Sequence, residues 1–166
     1  VVRDYQEAIT YSFIAPEMAE LVTPGEEQIT LANPISADMS VMRASLWPGL
    51  LNTLQYNLAR QQDRVSLFES GLTFVRQDGE LVQKAHLAGA CCGPVSADQW
   101  GKGSEKVDFY DVKSDMEAVL AQKVGLDSFT FVADEHPALH PGQTAAVMRE
   151  GVRIGWIGLL HPAVQA

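Results

Sequence analysis

The chain has 166 residues, of which 46% are hydrophobic, and this is enough for one domain with a core of its own. No apolar run approaches the roughly 20 residues that a membrane-spanning helix needs. The net charge of −9, from 12 Lys and Arg against 21 Asp and Glu, opposes the phosphate neutralisation on which nucleic-acid binding depends. With no initiator Met and no signal segment, the sequence predicts a soluble, single-domain piece of a longer protein, at residues 1–166.

The first forty residues predict two strands with a short helix between them. The segment EAITYSFI (residues 7–14) is rich in β-branched and aromatic residues, which is typical of a strand. Pro16 opens a short helical segment, PEMAEL. QITLANP (residues 28–34) predicts a second strand that ends at Pro34.

A longer helix is predicted from Ser45 to about Gln61. The Ser45 hydroxyl can cap it, and Pro48 falls in the first turn, where a missing N–H is harmless. At about 100° per residue, its six large apolar side chains span about 140°, a wide stripe with one amide inside it. The stripe consists of Leu46, Trp47, Leu50, Leu51, Leu54 and Leu58, with Asn57 as the amide. Either all six belong to the core of this chain, or one side of the stripe is covered by a partner.

The rest of the chain predicts a helix between runs of strands. The elements are strands at 65–70 and 72–76 around Gly71, a longer strand at 81–93, a helix at 107–125, and strands at 128–133, 144–150 and 152–160. Glu150 and Gly151 are typical of a hairpin tip between the last two strands. Strands joined by tight turns, with two main helices interspersed, indicate an α+β fold with a mostly antiparallel sheet flanked by helices.

Common catalytic and metal-binding patterns are not found in the sequence. GxGxxG, GxxxxGK[ST], GxSxG and HExxH do not occur. His136 and His140 are four residues apart, but prolines break this segment and no third ligand is near, so loop histidines that cap backbone groups are favoured over a metal site. Asp108 and Asp111 suit a helix N-terminus better than a cation site.

Six motifs follow one another in a specific order: NPIS, MRASLWPGLL, LFESG, DFYDVKSDMEAVL, HPGQTA and IGWIGLLHP. Together they resemble the central domain of the bacterial phenylalanyl-tRNA synthetase β subunit, and the resemblance covers nearly the whole chain. The residues that carry it as structural motif positions are Asn33, Pro34, Arg43, Ser45, Pro48, Glu69, Gly71, His140, Pro141, Gly142, His161 and Pro162.

The resemblance implies a degenerate copy of the class II synthetase core, within a cytoplasmic α2β2 enzyme that joins phenylalanine to tRNA(Phe) with ATP and Mg²⁺. The α subunit would carry the catalytic site. The present chain would be a non-catalytic scaffold with no catalytic, cofactor-binding or metal-binding residues of its own. Its partners would be the α subunit, through the stripe, and the second αβ pair, with tRNA bound by the whole enzyme and no membrane contact. The fragment alone is expected to be inactive and to self-associate.

Active relatives carry an arginine in motif 2 that holds the ATP α-phosphate. Aligning Gly71 with the motif glycine places Val75 at the arginine position, and Arg76 would point to the opposite face of the strand. The glycine- and arginine-containing third motif is absent from the sequence. An enzyme alternative, with its own nucleotide binding or adenylation, would require Arg43 and Arg76 to converge on one pocket.

Arg43 has three candidate roles: a retained phosphate ligand, a structural ion pair or a solvent-exposed charge. The ion pair is favoured, with Glu69 as the expected partner. A second alternative function, tRNA binding, would require a basic cluster to offset the net charge. Its members would be Lys84, Arg60, Arg64 and Lys102.

Overall fold

The computed structural model describes residues 3–97, 100, 105–122, 125 and 128–165. Contacts along the chain divide it into two compact units, Val1–Gly93 and Pro94–Ala166. Both combine helices with antiparallel strand pairs, which confirms the predicted α+β class. The expectation of a single domain stays a prediction. Within the described residues, no helix is both long enough and apolar enough to cross a membrane.

The described residues of the first unit form a three-stranded sheet, a two-stranded ladder, two α-helices and a short 3₁₀ helix at Ala37–Met39. Its elements are β1 (Gln6–Glu7), β2 (Phe13–Ile14), α1 (Pro16–Val22), β3 (Val41–Met42), α2 (Trp47–Leu58), β4 (Val65–Gln77) and β5 (Glu80–Cys92). The sheet order is β1-β4-β5, with β1 parallel and β5 antiparallel to β4, and β2 pairs antiparallel with β3. Helix α2 packs on β4 and β5, and its Leu50 forms a core with Val65 and Leu67.

A long hairpin formed by β4 and β5 dominates this unit. Its register is continuous from Val65 opposite Cys92 to Gln77 opposite Glu80. Asp78 and Gly79 form the turn with φ values of 53° and 82°, as a type I′ turn requires. The two short strands predicted around Gly71 are therefore one strand. Glycine at this position allows a close approach of other side chains and does not end the strand.

The two strands predicted in the first forty residues are largely wrong. Only the ends of the 7–14 segment are strand, as β1 and β2, because the residues between them turn toward β4. The 28–34 segment forms only a single bridge, between Thr30 and Val41. Helix α1, in contrast, is confirmed, with Pro16 in its first turn.

Helix α2 starts two residues later than Ser45 but uses its hydroxyl as expected. The backbone N–H of Trp47 donates to Ser45 Oγ at 3.2 Å, while Leu46 holds the N-cap position. The regular helix ends at Leu58. Beyond it, Gln61 adopts a φ of 63°, and its N–H bonds to the Leu58 carbonyl as in a Schellman motif. The predicted end near Gln61 thus corresponds to the cap that closes the helix.

The second unit packs one helix on a three-stranded antiparallel sheet. Its elements are α3 (Phe109–Leu120), β6 (Phe129–Ala133), β7 (Leu139–Arg149), β8 (Val152–Leu160) and α4 (Pro162–Gln165). The sheet order is β6-β7-β8. Ala145, Val147 and Ile157 form its core against the apolar side of α3. The predicted C-terminal end of α3, at 121–125, lies partly outside the described residues.

The hairpin predicted between the last two strands is confirmed. Glu150 and Gly151 have φ values of 51° and 80° at its tip. Strand β7 begins five residues earlier than expected, and its register with β8 shifts between Leu139 and Thr144. Gly142, with a φ of 87°, lies in this irregular stretch, so the His140–Pro141–Gly142 motif interrupts the regular pairing of β7 with β8.

Candidate functional site

The side chain of Arg43, in the first unit, is almost completely buried and makes several hydrogen bonds. Its Nη1 donates to Glu69 Oε1 at 2.7 Å and to Thr10 Oγ1 at 3.0 Å. Its Nε donates to the Leu72 carbonyl oxygen at 3.0 Å. The side chains of Arg43 and Glu69 are only 4% and 3% exposed. Of the three roles considered for Arg43, the ion pair with Glu69 is confirmed.

Glu69 and Thr10 complete the network. Thr10 donates to Glu69 twice, from its backbone N–H to Oε1 at 3.2 Å and from its hydroxyl to Oε2 at 2.7 Å. The backbone of Arg43 also bonds on both sides, to the Ser12 carbonyl and from the Phe74 N–H, each at 2.9 Å. One buried cluster therefore holds together β4, the entry to α2 and the irregular segment between β1 and β2.

Two glycines make room for this cluster. A Cβ at Gly71 would lie 2.5 Å from Arg43 Nη2 and 3.3 Å from Leu46 Cδ2. A Cβ at Gly49, in the first turn of α2, would overlap the Thr10 hydroxyl. The motifs MRASLWPG and LFESG thus lie next to each other in the fold, around one ion pair. This buried cluster explains why their arginine, glutamate and glycines occur together.

Thr10 is the member of the cluster that sequence reasoning missed. It lies within a β-branched and aromatic segment that is typical of a strand, so its hydroxyl gave no sign of a long-range partner. Only the approach of β4 brings Thr10 to Glu69, fifty-nine residues away in sequence.

The second arginine considered for nucleotide binding is held elsewhere. Arg76 Nε lies 3.0 Å from Glu27 Oε1, and Arg76 Nη1 donates to the Gly79 carbonyl. Since side chains alternate along β4, Arg76 lies on the sheet face opposite to Glu69 and the Arg43 guanidinium. The two arginines do not converge on one pocket.

The stripe on α2 is only partly covered by the first unit. Leu46 and Leu50 are buried, at 2% and 0% exposure, whereas Leu58 is 44% exposed. The side chains of Trp47, Leu51, Leu54 and Asn57 are half-buried, and Trp47 and Leu54 pack on the core of the hairpin. Asn57 Nδ2 donates to the Thr53 carbonyl at 2.8 Å, so this donor is satisfied within the helix.

The three basic residues considered for tRNA binding that the structure describes do not form one patch. Arg60 stacks over the Tyr56 ring at 3.3 Å, and Arg64 pairs with Asp4 at 3.3 Å. Lys84 lies opposite Thr73 in the hairpin. Thr73 is eight residues along β4 from Val65, so Lys84 is roughly 26 Å from the start of that strand, which follows Arg64. Lys102 lies outside the described residues.

The histidines mainly stabilise local structure. His136 Nδ1 and His161 Nδ1 each accept a backbone N–H at 3.1 Å, from Ala138 and Ala163, which confirms the capping role expected of the first. Burial, with a smaller contribution from Arg153, lowers the pKa of His136. His140 does not cap a backbone group through its buried Nδ1, which has no hydrogen-bond partner within the described residues.

Two further groups bear on possible chemistry. His86 Nδ1 lies 2.9 Å from the buried Thr73 hydroxyl, and burial, followed by the charge of Lys84, lowers the pKa of this histidine. Cys91 and Cys92, both described, are half-buried thiols at the end of β5. Among the described residues, no group of three or more His, Cys, Asp or Glu side chains is placed to hold a metal ion.

Asp108 and Asp111 form a reciprocal capping box at the start of α3. Asp108 Oδ1 accepts the N–H groups of Tyr110 and Asp111, and Asp111 Oδ2 accepts the N–H of Asp108 at 2.9 Å. The helix-start interpretation of these acidic residues is confirmed.

The arrangement of strands and helices is similar to that of a solved synthetase. The structure of PylSc from Desulfitobacterium hafniense, a pyrrolysyl tRNA synthetase, matches with a TM-score of 0.61 and covers 92% of this chain and 51% of that one. At 19% identity the likeness concerns the fold alone. It places the chain in the class II synthetase-like fold.

Sequence comparison then defines the family. The model of the phenylalanyl tRNA synthetase beta chain CLM domain matches residues 1–166, and the chain belongs to this family. A phenylalanine–tRNA ligase beta subunit from Pseudomonas fluorescens is 59% identical over 98% of this chain, and one from Methylococcus capsulatus is 52% identical over 98%. The chain spans about a fifth, 20%, of the length of each of these relatives. The resemblance drawn from the six motifs is confirmed.

Proposed function

We propose that this chain is a non-catalytic scaffold and interface domain of a phenylalanine–tRNA ligase, which supports the attachment of phenylalanine to tRNA(Phe) by an α subunit. The observation that supports this most directly is the state of Arg43. Its guanidinium donors are directed at Glu69, Thr10 and the Leu72 carbonyl in the interior of the chain. If Arg43 turned to bind a phosphate, the buried Glu69 carboxylate would lose its counter-ion. A buried charge without a counter-ion lowers the stability of the fold.

ATP and Mg²⁺ would serve the whole enzyme through the α subunit. We infer that this chain has no nucleotide site of its own, and two described positions support this inference. Val75 stands where an active relative would have its motif 2 arginine, and the neighbouring Arg76 is engaged by Glu27.

The partner proposed for the outer flank of α2 is the α subunit, within a cytoplasmic α2β2 assembly. Leu58 is 44% exposed and Leu51 half-buried on a helix whose other flank is buried at Leu50. Apolar side chains left open beside a core are typical of a permanent interface. Without the α subunit, the fragment would tend to self-associate through the same flank.

Catalytic inactivity can be tested directly. We expect the purified 166-residue chain, free of host synthetase, to show no phenylalanine-dependent exchange of pyrophosphate into ATP above a blank without protein. Clear exchange would overturn the scaffold proposal in favour of the adenylation alternative.

The interface can be tested with a matched pair of variants in the complete β polypeptide. Leu58→Glu should reduce co-purification with the α subunit, because it introduces a charge into the proposed apolar contact. Val152→Glu makes the same change at a 65% exposed position at the start of β8 and should leave co-purification unchanged. Equal recovery of the α subunit with Leu58→Glu and with Val152→Glu would remove α2 from the interface.

In the proposal, tRNA is bound by other parts of the enzyme. Since Arg60 and Arg64 are engaged locally and Lys84 lies far from them, we expect the chain to bind tRNA no more tightly than roughly 10⁻⁴ M at physiological salt. A micromolar titration specific for tRNA(Phe) would favour the tRNA-binding alternative.

A further inference from the structure

His86 lies on the face of the β4–β5 hairpin that carries α2, beside a buried hydroxyl. Its Nδ1 lies 2.9 Å from Thr73 Oγ1, and Thr73 is only 1% exposed. A hydroxyl buried to this extent needs a protein partner for its hydrogen. The neutral imidazole supplies one when Nε2 carries the ring hydrogen, because Nδ1 is then an acceptor. The burial of Thr73 therefore favours a neutral His86 with its hydrogen on Nε2.

The β4 residues on either side of Thr73 both bind Arg43. Arg43 Nε donates to the Leu72 carbonyl at 3.0 Å, and the Phe74 N–H donates to the Arg43 carbonyl at 2.9 Å. Thr73 thus lies between the two residues of β4 that hold Arg43. Opening of the strand at Thr73 would loosen both of these hydrogen bonds.

The Arg43 guanidinium also lies close to His86. His86 is directly opposite Gly71 in the antiparallel ladder, and Arg43 Nη2 lies 2.5 Å from the position that a Gly71 Cβ would take. Directly opposed residues share one face of the sheet and have Cβ positions about 4.5–5.5 Å apart. A proton on His86 would therefore place a second positive charge beside the guanidinium.

The charged groups that face His86 do not offset such a charge. Lys84, two residues along β5 on the same face, adds another cation, and the Glu69 carboxylate is already bonded to Arg43. Helix α2 has no charged residue between Trp47 and Leu58. Partial burial, followed by the charge of Lys84, accordingly lowers the pKa of His86. The ring is nevertheless exposed, so it can take up a proton from solvent as the pH falls.

We propose that Thr73 and His86 form a pH-sensitive contact that determines how firmly Arg43, and with it the start of α2, is held on the hairpin. With His86 neutral, the Thr73 hydroxyl donates to Nδ1. When His86 takes up a proton, Nδ1 becomes a donor, so the hydrogen bond reverses and the buried Thr73 hydrogen loses its acceptor. The new charge repels Arg43 at the same time. Both changes favour local opening of β4 at the residues that hold Arg43.

Hydrogen exchange, followed by peptide mass spectrometry at pH 7.5 and pH 5.5, tests this contact in the complete β polypeptide. The α subunit is left out, so the outcome does not depend on the proposed interface. His86→Gln keeps a side-chain acceptor for the Thr73 hydroxyl but does not titrate, and Thr73→Val keeps the shape of the side chain but removes the hydroxyl. His161→Gln removes a half-buried histidine of the second unit and is the matched control. Exchange rates are corrected for the intrinsic effect of pH.

In the unmodified protein, we expect protection of the peptides that contain residues 70–77 and 47–58 to fall about fivefold at pH 5.5, the effect of leaving one buried polar group without its partner. The contribution of neutral His86 is complete above the unfolded pKa of about 6.5 and is lost as the pH falls from there through the lower folded pKa. The fall should be absent in His86→Gln, reduced in Thr73→Val and unchanged in His161→Gln.

Several outcomes would overturn the proposal. One is equal protection at both pH values in the unmodified protein, and another is the same fall in His86→Gln. A full fall in Thr73→Val would mean that the charge of His86 acts without the hydroxyl. A fall confined to residues 70–77 would remove the link to α2, and an equal fall at residues 139–149 of the second unit, abolished by His86→Gln, would indicate global unfolding in place of a local opening.

Discussion

Helices α2 and α3 have the same length, twelve residues each, but they are stabilised in different ways. Helix α3 starts at a reciprocal capping box between Asp108 and Asp111 and packs its apolar side on the sheet of its own unit. Helix α2 has no side-chain cap at its N-cap residue, Leu46. It depends instead on burial of Leu50 and on the Arg43 cluster beneath its first turn.

The difference shows two ways in which a helix can be held in position. The start of α3 is encoded by residues within one turn of each other, so it would persist in many contexts. The position of α2 is set by contacts distant in sequence, which orient one flank toward the core and leave Leu58 on the other. A buried ion pair suits this purpose, because it favours one arrangement of the surrounding segments even where it adds little net stability.

The largest effect is expected from breaking the ion pair beneath α2. Glu69→Ala leaves the Arg43 guanidinium buried without its counter-ion and should cost about 3–5 kcal/mol in the free energy of unfolding. Urea denaturation of the 166-residue chain measures the loss. The double variant Arg43→Met, Glu69→Leu should recover part of that loss, since an apolar pair needs no charge compensation. A loss below about 1 kcal/mol for Glu69→Ala would mean that the cluster does not hold α2 in place.

Truncation of the two flanks of α2 separates its core side from its open side. Leu50→Ala removes a fully buried side chain and should cost about 2–5 kcal/mol, by lost burial and cavity formation. Leu58→Ala, at an exposed position, should change the free energy of unfolding by no more than about 0.5 kcal/mol. Equal losses in chemical denaturation would contradict the distinction between the flanks.

The local character of α3 can be tested at its cap. Asp108→Ala removes an acceptor for two backbone N–H groups and should cost about 1 kcal/mol, measured by thermal or urea unfolding. Asp108→Asn keeps the capping oxygen and should retain most of the stability. If Asn and Ala at this position destabilise equally, the charge of Asp108, acting on the helix dipole, contributes more than its hydrogen bonds.

The smallest effect is a pH dependence in the second unit. Because burial lowers the pKa of His136, the fold favours the neutral imidazole, whose Nδ1 accepts the Ala138 N–H. This contribution is fully present above the unfolded pKa of about 6.5 and is lost as the pH falls from there through the lower folded pKa. Unfolding measured at pH 7.5 and pH 5 should show a loss at low pH that is smaller in His136→Gln. An unchanged pH dependence in that variant would exclude His136 as its source.

Local features of the sequence determined several elements of the protein. The Glu150–Gly151 turn, the Asp108 capping box and the proline at the start of α1 all lie where the sequence predicts them. These signals act between residues a few positions apart, so they need no knowledge of the rest of the fold. The six ordered motifs also identified the family. Glu69 was the expected ion-pair partner of Arg43 because the two segments were expected to be neighbours at the edge of the sheet.

Only the tertiary structure decided the features that depend on distant segments. Gly71 suggested a break between two strands, but it lies inside one strand because Arg43 occupies the space of a side chain. The segment around Thr10 has strand propensity, yet it leaves the ladder to donate to Glu69. The helical period predicted a stripe on α2 but could not show that Leu50 is enclosed and Leu58 open. Propensity and periodicity describe a segment in isolation, whereas burial and buried hydrogen bonds depend on which other segments approach it, and that approach is set by the fold as a whole.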